Sequence, residues 1–289
     1  MPRLGYFLSC EEFGPKELVQ QAKRAEDAGF SALWISDHYH PWNDAQGQSP
    51  FVWSVIGALS EAVSLPITTA VTCPIMRIHP AVLAQAAATA AVQHEGRFTL
   101  GIGSGEALNE HILGDRWPEA DVRIDMMREA VEVLRLLFQG GNQSHHGRYY
   151  TVENARIYTL PDRPPPIYVS GFGPKAAQLA GEIGDGYIST MPDPDLVQAF
   201  RRTGGTKTAA AGFKVCWNPD EHTAREIAHR LWASEQLPGQ LAQELPTPRH
   251  FEQASELVTK DMVADAIVCG PDVGRHMAGI EQYFDAGVA

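Results

Sequence analysis

Two hydrophobic periods alternate along the chain. Short runs in which nearly every position is apolar or β-branched read as strands buried on both faces: "LGYFLS" (4–9), "ALWIS" (32–36), "PITTAVTC" (66–73) and "RFTLGIG" (97–103). Between them the apolar residues recur every three or four positions. "PKELVQQAKRAEDAGF" places Leu18, Ala22, Ala25 and Ala28 on one stripe and stops at Gly29. "FVWSVIGALSEAV" (51–63) and the alanine-rich "PAVLAQAAATAAVQH" (80–94), with proline at its start, predict two more helices. "DVRIDMMREAVEVLRLLF" follows, with Ile124, Met127, Val131, Leu134 and Phe138 on one face.

The second half continues the alternation less regularly. "HHGRYYTVENARIYTL" alternates around Gly147 and predicts a β-hairpin. "PIYVSG" (166–171), "DGYIST" (185–190) and "GFKVCWN" (212–218) predict strands; "PKAAQLAGEI" and "HTAREIAHRLW" predict helices after the first and last of these. "TGGTKTAAAG" (203–212) reads as the one loose, linker-like stretch. Strands alternating with helices imply parallel strands joined by right-handed crossovers. The strand count favours an α/β fold of the (β/α)8 barrel type, with insertions, over an open doubly wound sheet. One domain spans 1–289. After "VGRHMAGIEQYFDAG" an eighth strand and a final helix are expected but do not come before Ala289, so the expectation is a C-terminally truncated chain.

Composition narrows the partners. A net charge of -12 disfavours nucleic acid and membrane surfaces, whose phosphates would be repelled. Four cysteines, Cys10, Cys73, Cys216 and Cys269, form no CxxC pair, so neither a zinc nor a redox motif is indicated. "MPRLGYFLSC" has no charged segment followed by a long apolar one, so no signal peptide is expected, and no apolar run reaches the ~18 residues of a membrane span. A cytoplasmic protein acting on a small molecule is the expectation.

In a parallel barrel the loops after the strands form one rim, where the chemistry sits. "SDHYHPW" (36–42) leaves the second strand with an acid, two histidines and two aromatics. "GIGSGEALNE" (101–110) leaves the fourth with three glycines and Glu106, a candidate acid/base. The competing reading of Glu106 is a carboxylate at a helix start. "SGFGPK" (170–175) is a glycine turn before a helix N-terminus, which suits an anion or an ordinary turn. His-x-His in "DHYH" matches a metal-dependent hydrolase barrel, but the later strand ends offer no further imidazole, so no metal is expected. His38 is left as a proton-transfer group with Trp42 as an aromatic wall, and His40 as a solvent-facing loop residue.

Together, "SDHYHPW", "TTAVTCPIMRIHPAVLAQAAAT", "GIGSGEALNE" and "YVSGFGPKAAQLAGEIGDGYIST" resemble the F420-dependent branch of the luciferase-like superfamily, most closely the F420-dependent glucose-6-phosphate dehydrogenases. The resemblance implies a barrel whose mouth binds coenzyme F420, a deazaflavin, in a homodimer. It implies His38 as the base that takes an alcohol proton, Trp42 beside the reacting centre and Glu106 as the acid that protonates the reduced ring. It places Asp37, Ala70, Val71, Cys73, Ser104, Gly105, Asn109, Ser170, Gly171, Gly173 and Ser189 along the cofactor, with a cis peptide at Ala70–Val71. It implies a hydride-transferring oxidoreductase of an alcohol or hemiacetal. A reductase of an unsaturated or carbonyl substrate, a non-catalytic F420- or flavin-binding protein and an FMN-dependent monooxygenase are the alternatives.

One departure bears on substrate. The glucose-6-phosphate enzymes hold the phosphate with two lysines and an arginine. Here the loop after "YISTM" reads "PDPDLVQAF", the second lysine position falls at Ala264 beside Asp265, and the arginine would lie beyond Ala289. Lys260 and Arg201 are the nearby cations that remain as candidate phosphate ligands. Glucose-6-phosphate is therefore expected to be a poor substrate.

Overall fold

The structure is a computed structural model that describes residues 3–288. Its strands are β1 (Gly5–Leu8), β2 (Ala32–Ile35), β3 (Ile67–Thr69), β4 (Phe98–Ile102), β5 (Gln143–His146), β6 (Thr151–Ala155), β7 (Ile167–Ser170), β8 (Gly186–Ser189), β9 (Thr208–Ala211), β10 (Val215–Cys216) and β11 (Val268–Cys269). Its helices are α1 (Pro15–Asp27), α2 (Val52–Ser60), α3 (Pro80–Gln93), α4 (Ala107–Glu110), α5 (Ala120–Leu137), α6 (Pro174–Ile183), α7 (Pro194–Gly204), α8 (Glu221–Trp232), α9 (Leu241–Glu244), α10 (Pro248–Ser255), α11 (Lys260–Ala266) and α12 (Val273–Asp285).

Seven strands form one sheet in the order β1-β2-β3-β4-β7-β8-β9, every neighbouring pair parallel. The order never reverses, as it would in a doubly wound sheet, so the strands curl in one direction as barrel staves. Among the described residues β1 and β9 do not pair, and the barrel is open along that seam. The expected hairpin is present as β5 and β6, outside the sheet.

The outward faces of the staves carry Leu8, Leu33, Ile35, Ile67, Phe98, Leu100, Ile102, Ile167 and Val169, all buried in the main core. Burial of such side chains stabilises by roughly 1.5–3 kcal/mol each before conformational entropy is counted. The inward faces are tight. A Cβ on Gly101 would lie 1.8 Å from the carbonyl oxygen of Thr69. Only glycine lets β4 approach β3 there.

The structure corrects three expectations. The linker-like stretch 203–212 holds the end of α7 and all of β9, which pairs with β8 from Thr208 to Ala211. Its alanines carry little hydrophobic signal, yet Ala209 is fully buried by its place in the sheet. "PDPDLVQAF" is not a loop: Asp193 accepts hydrogen bonds from the backbone N–H groups of Asp195 (2.8 Å) and Leu196 (3.2 Å), and Pro194 opens α7. "GFKVCWN" yields only β10, which pairs with β11 and not with the large sheet. Around β10 and β11 lies a second, smaller core of Cys216, Ala224, Ala228, Ala233, Val258, Val263, Ile267 and Cys269. No helix among the described residues is long and apolar enough to cross a membrane.

Candidate active site

The loops after β1 and β2 are latched together before any functional side chain is placed. Ser36, just beyond β2, accepts the backbone N–H of Cys10 (2.9 Å) and donates its hydroxyl to Glu11 Oε2 (2.6 Å). Glu11 in turn stands 3.2 Å from His38 Nε2 through its other oxygen. His38 keeps 11% of its side chain open. The ring of Trp42 lies 5.0 Å from that imidazole, and its other side meets Phe251 of α10 edge-on at 5.1 Å.

The loop after β4 comes to the same place. Glu106 precedes α4, and Asn109 on that helix bridges the two loops. Its Oδ1 accepts the backbone N–H groups of Tyr39 (2.9 Å) and His40 (3.1 Å). Its Nδ2 lies 3.0 Å from His38 Nδ1 and donates to Glu106 Oε2 (3.3 Å). A hydrogen-bonded chain therefore runs from Glu106 through Asn109 and His38 to Glu11.

The loop after β3 forms the floor. The Ala70–Val71 peptide is cis, at the position the resemblance indicated. A Cβ on Gly103 would lie 2.6 Å from Val71 Cγ2 and 3.7 Å from Ser170 Cβ, so the ends of β3, β4 and β7 converge. Gly105 has φ +72°, and a Cβ there would strike Cys73 Sγ at 2.6 Å. Val71, Ser104 and Glu106 are half-buried. On the β7 side Tyr187 donates its hydroxyl to the Gly171 carbonyl (2.7 Å) and holds the glycine turn, while the Cβ direction of Gly173 faces open space.

Behind this surface lies a buried charge cluster. Arg77 Nη2 meets Asp37 Oδ1 at 2.8 Å, and its backbone N–H donates to Glu110 Oε2 at 2.8 Å, with Nε 3.4 Å from Oε1. Thr72 donates to the other oxygen of Asp37 (2.8 Å). One cation thus serves two buried acids. Burial pushes the Glu110 carboxyl up to about 7 against the pull of Arg77. Glu11 goes the other way: burial raises it, but the imidazole of His38 and hydrogen bonds from Ser36, its own backbone and Ser9 outweigh that and hold it below the usual carboxylate range. Burial, then the nearby Glu110, keeps the Cys73 thiol protonated.

The expected site residues are gathered at this rim in two layers. His38, Trp42, Ala70, Val71, Ser104, Gly105, Glu106, Ser170 and Gly173 offer surface at the mouth. Asp37, Cys73, Asn109, Gly171 and Ser189 are buried beneath it, Ser189 bonding the backbone of Met191. His40 departs from expectation. It is half-buried, and its Nδ1 meets the carbonyl of Leu108 at 2.8 Å, because α4 packs against the loop that carries it. Neither cation considered as a phosphate ligand is free: Lys260 pairs with Glu226 (2.8 Å), and Arg201 is spent on the carbonyls of Gly205 and Lys207. Sequence reasoning missed Glu11, Arg77 and Glu110. The available signal for Glu11 was its position just beyond the first strand, on the same rim as "SDHYHPW".

A parallel barrel with an acid–amide–imidazole–carboxylate chain on its rim and a cis peptide in its floor defines a class. The chain belongs to the luciferase-like monooxygenase family, whose profile matches residues 2–289. Among its relatives is the F420-dependent glucose-6-phosphate dehydrogenase of Microbacterium testaceum, 35% identical over 99% of this chain and 89% of that one. The enzyme of the same name from Amycolatopsis mediterranei is 34% identical over 100% and 91%. An F420-dependent secondary alcohol dehydrogenase, solved with an F420-acetone adduct, superposes with a TM-score of 0.91 at 35% identity, covering 99% of this chain and 91% of that one.

Proposed function

We propose that this chain is an F420-dependent oxidoreductase that moves a hydride between the carbinol carbon of a secondary alcohol or hemiacetal and the deazaflavin. The observation that carries this is the joining of His38 and Glu106, from two loops, through Asn109 into one hydrogen-bonded group, with the Trp42 ring packed beside the imidazole, in a site that also holds the cis Ala70–Val71 peptide. The relatives that share this fold at about 35% identity are named for the same coenzyme.

The residues present fit such a group. Val71, Ser104, Ser170 and Gly173 leave a partly open surface beside the exposed Phe172 and Met191, which suits a flat ring. The N-terminus of α6 has no side-chain cap at Gly173, so its first N–H groups are available to an anionic tail. When bound, the deazaflavin supplies a two-electron hydride acceptor; proton handling and alignment are left to the protein. His38 holds the proton of the substrate hydroxyl, Glu11 steadies the charge that develops on the imidazole, and Glu106 holds the second proton. Trp42, braced by Phe251, walls the substrate space. The reverse reaction, reduction of a ketone, uses the same groups in exchanged roles. A binder without turnover would need no such acid–base pair.

The test is an equilibrium titration of the purified protein with F420 and with FMN. At least a tenfold preference for F420, about 1.4 kcal/mol, is expected. Equal or tighter FMN binding overturns the reading.

A sugar phosphate is disfavoured, because Lys260 and Arg201 are held elsewhere and Asp193 caps α7 where a lysine was needed. Loss of two or three charge-assisted bonds, each worth roughly 1.5–3 kcal/mol, should weaken a dianionic phosphate at least 100-fold. We propose that the expected homodimer forms through α2 and α3. Their outward positions, Phe51, Ser54, Ala58, Val82, Gln85, Thr89 and Val92, are exposed and uncharged, with Phe51 at 56% and Val82 at 60%. In a chain of net charge -12, a second copy meets least repulsion there. Val82→Asp should yield monomers by sedimentation velocity; an unchanged dimer puts the interface elsewhere.

A further inference from the structure

Asn109 has one orientation that suits its surroundings. The oxygen Oδ1 receives two backbone N–H groups, from Tyr39 at 2.9 Å and His40 at 3.1 Å, which an amino group cannot do. The atom 3.0 Å from His38 Nδ1 is therefore the amino nitrogen, and its second hydrogen serves Glu106 Oε2 at 3.3 Å. A donor aimed at Nδ1 calls for a lone pair there. The other ring nitrogen faces Glu11 Oε1 at 3.2 Å, and that carboxylate, 5% exposed, calls for a hydrogen on Nε2. The opposite tautomer would gain one bond, from Nδ1 to the carbonyl of His40 at 3.2 Å. It would also set N–H against N–H at Asn109 and lone pair against carboxylate at Glu11. Two contacts outweigh one.

We infer that Asn109 is a positioning residue: clamped by the Tyr39 and His40 N–H groups, its carboxamide holds neutral His38 with the hydrogen on Nε2 and the lone pair on Nδ1, and ties that lone pair to the Glu106 carboxylate. In this tautomer the proton that His38 gains arrives at Nδ1, where it displaces the Asn109 donor. The amide is then left to Glu106 alone. Protonation of His38 and the hydrogen bonding of Glu106 are thereby coupled through one side chain. This coupling rests on the proton-pair reading of His38 and Glu106; the tautomer does not.

The groups that bear on the imidazole are few. Glu11 approaches from the loop after β1. Asp37 on its own loop is neutralised by Arg77 from the loop after β3. Glu106 and Glu110 come from the loop after β4 and from α4, and the His40 ring is held by the Leu108 carbonyl. Asn109→Asp keeps the oxygen that receives the two backbone N–H groups and places a carboxylate oxygen where the amino group stood. It should reverse the preference at Nδ1 with little change in shape.

The experiment is long-range proton–nitrogen correlation spectroscopy on histidine-labelled protein without cofactor. His38→Gln identifies the His38 signals among those of the 11 histidines. At alkaline pH wild-type His38 should show a pyridine-type Nδ1 and a pyrrole-type Nε2. In Asn109→Asp the ring should stay doubly protonated to higher pH, with its midpoint raised by about one unit or more, a tenfold gain in proton affinity. A protonated Nδ1 in the neutral wild-type ring, or an unmoved midpoint in Asn109→Asp, overturns the inference; if that variant does not fold, the wild-type spectrum decides alone. A pH–rate profile with F420 and 2-propanol tests the coupling separately. If the tautomer is as stated but the rate does not follow the His38 midpoint, the proton-pair reading falls and the positioning of the ring stands.

Discussion

The two packing units of the chain differ in kind. The sheet from β1 to β9 buries large aliphatic and aromatic side chains, among them Leu8, Leu33, Ile35, Phe98 and Phe200. The unit around β10 and β11 buries mainly alanine, valine and cysteine, on a ladder only two residues long. The first carries His38 and Glu106, the proposed proton-transfer groups, on loops latched by buried hydrogen bonds. The second reaches that rim mostly through polar contacts: Asn43 and Gln46 both donate to the Leu231 carbonyl (3.0 and 3.1 Å), and Trp232 Nε1 donates to Glu12 (2.8 Å). An aromatic anchor is added by Phe251 against Trp42. If the proposed proton groups act on the first unit and Phe251 of the second braces the wall beside them, substitutions in the two regions should separate turnover from substrate binding.

The sharpest break is at the rim. His38→Ala and Glu106→Gln should each lower turnover by roughly 10²–10⁴-fold, the usual contribution of a positioned acid or base, with F420 affinity within a few fold. Steady-state rates beside a binding titration check this. Near wild-type turnover in either variant removes that residue from the proton chemistry.

Next comes the anchor on the other side. Phe251 is fully buried, and Phe251→Ala should cost about 3–5 kcal/mol through lost burial and the cavity left behind. The loss should be local. Hydrogen exchange should quicken in α8 to α11 while β1–β4 keep their protection, and KM should rise more than kcat falls. Uniform loss of protection would show that the two units fold as one.

The charge cluster behind the rim gives a smaller effect with a definite sign. Glu110 keeps its proton up to about 7 in the folded chain, against an ordinary 4.5. Between those values the folded state binds more protons than the unfolded one, so stability falls as pH rises through that window and levels off above it. The loss should be about 3–4 kcal/mol at most. Urea unfolding at pH 5 and pH 8 should show the drop in wild type and a smaller one in Glu110→Gln, which keeps an acceptor for the Arg77 N–H. Equal drops would assign the dependence to other groups.

What could be read ahead of the structure divides along the same line. The staves were legible because runs such as "ALWIS" and "RFTLGIG" switch cleanly from the helical period around them. His38, Trp42 and Glu106 could be singled out because each lies in a short stretch just beyond a strand end, whereas Asn109 was indicated only through the family resemblance. Arg77 was visible but its meaning was not, since its acids lie 40 and 33 positions away and only the fold brings them together. β9 was hidden because alanines are buried by position and not by their own hydrophobicity. α9, α10 and α11 are short, the last two capped by Thr247 and Thr259, and none carries a stripe long enough to detect.

The smallest expected effect tests the substrate. Lys260 sits at the start of α11 and pairs with Glu226 of α8, both about half exposed. Such a pair is worth roughly 0.2–1 kcal/mol, because water screens the charges and two long side chains must be held still. Lys260→Ala should therefore lower stability by less than about 1 kcal/mol. Its consequence for catalysis is the informative part. If Lys260 served as a phosphate ligand, its removal would cut the specificity constant for glucose-6-phosphate steeply and leave simple alcohols untouched. Held by Glu226 in the smaller unit, it should leave both ratios unchanged. Steady-state F420 reduction with glucose-6-phosphate and with 2-propanol, in wild type and Lys260→Ala, distinguishes the two. A selective loss of the sugar phosphate would mean that α11 swings to the mouth in the working enzyme, and it would bring the smaller unit into the recognition of substrate charge.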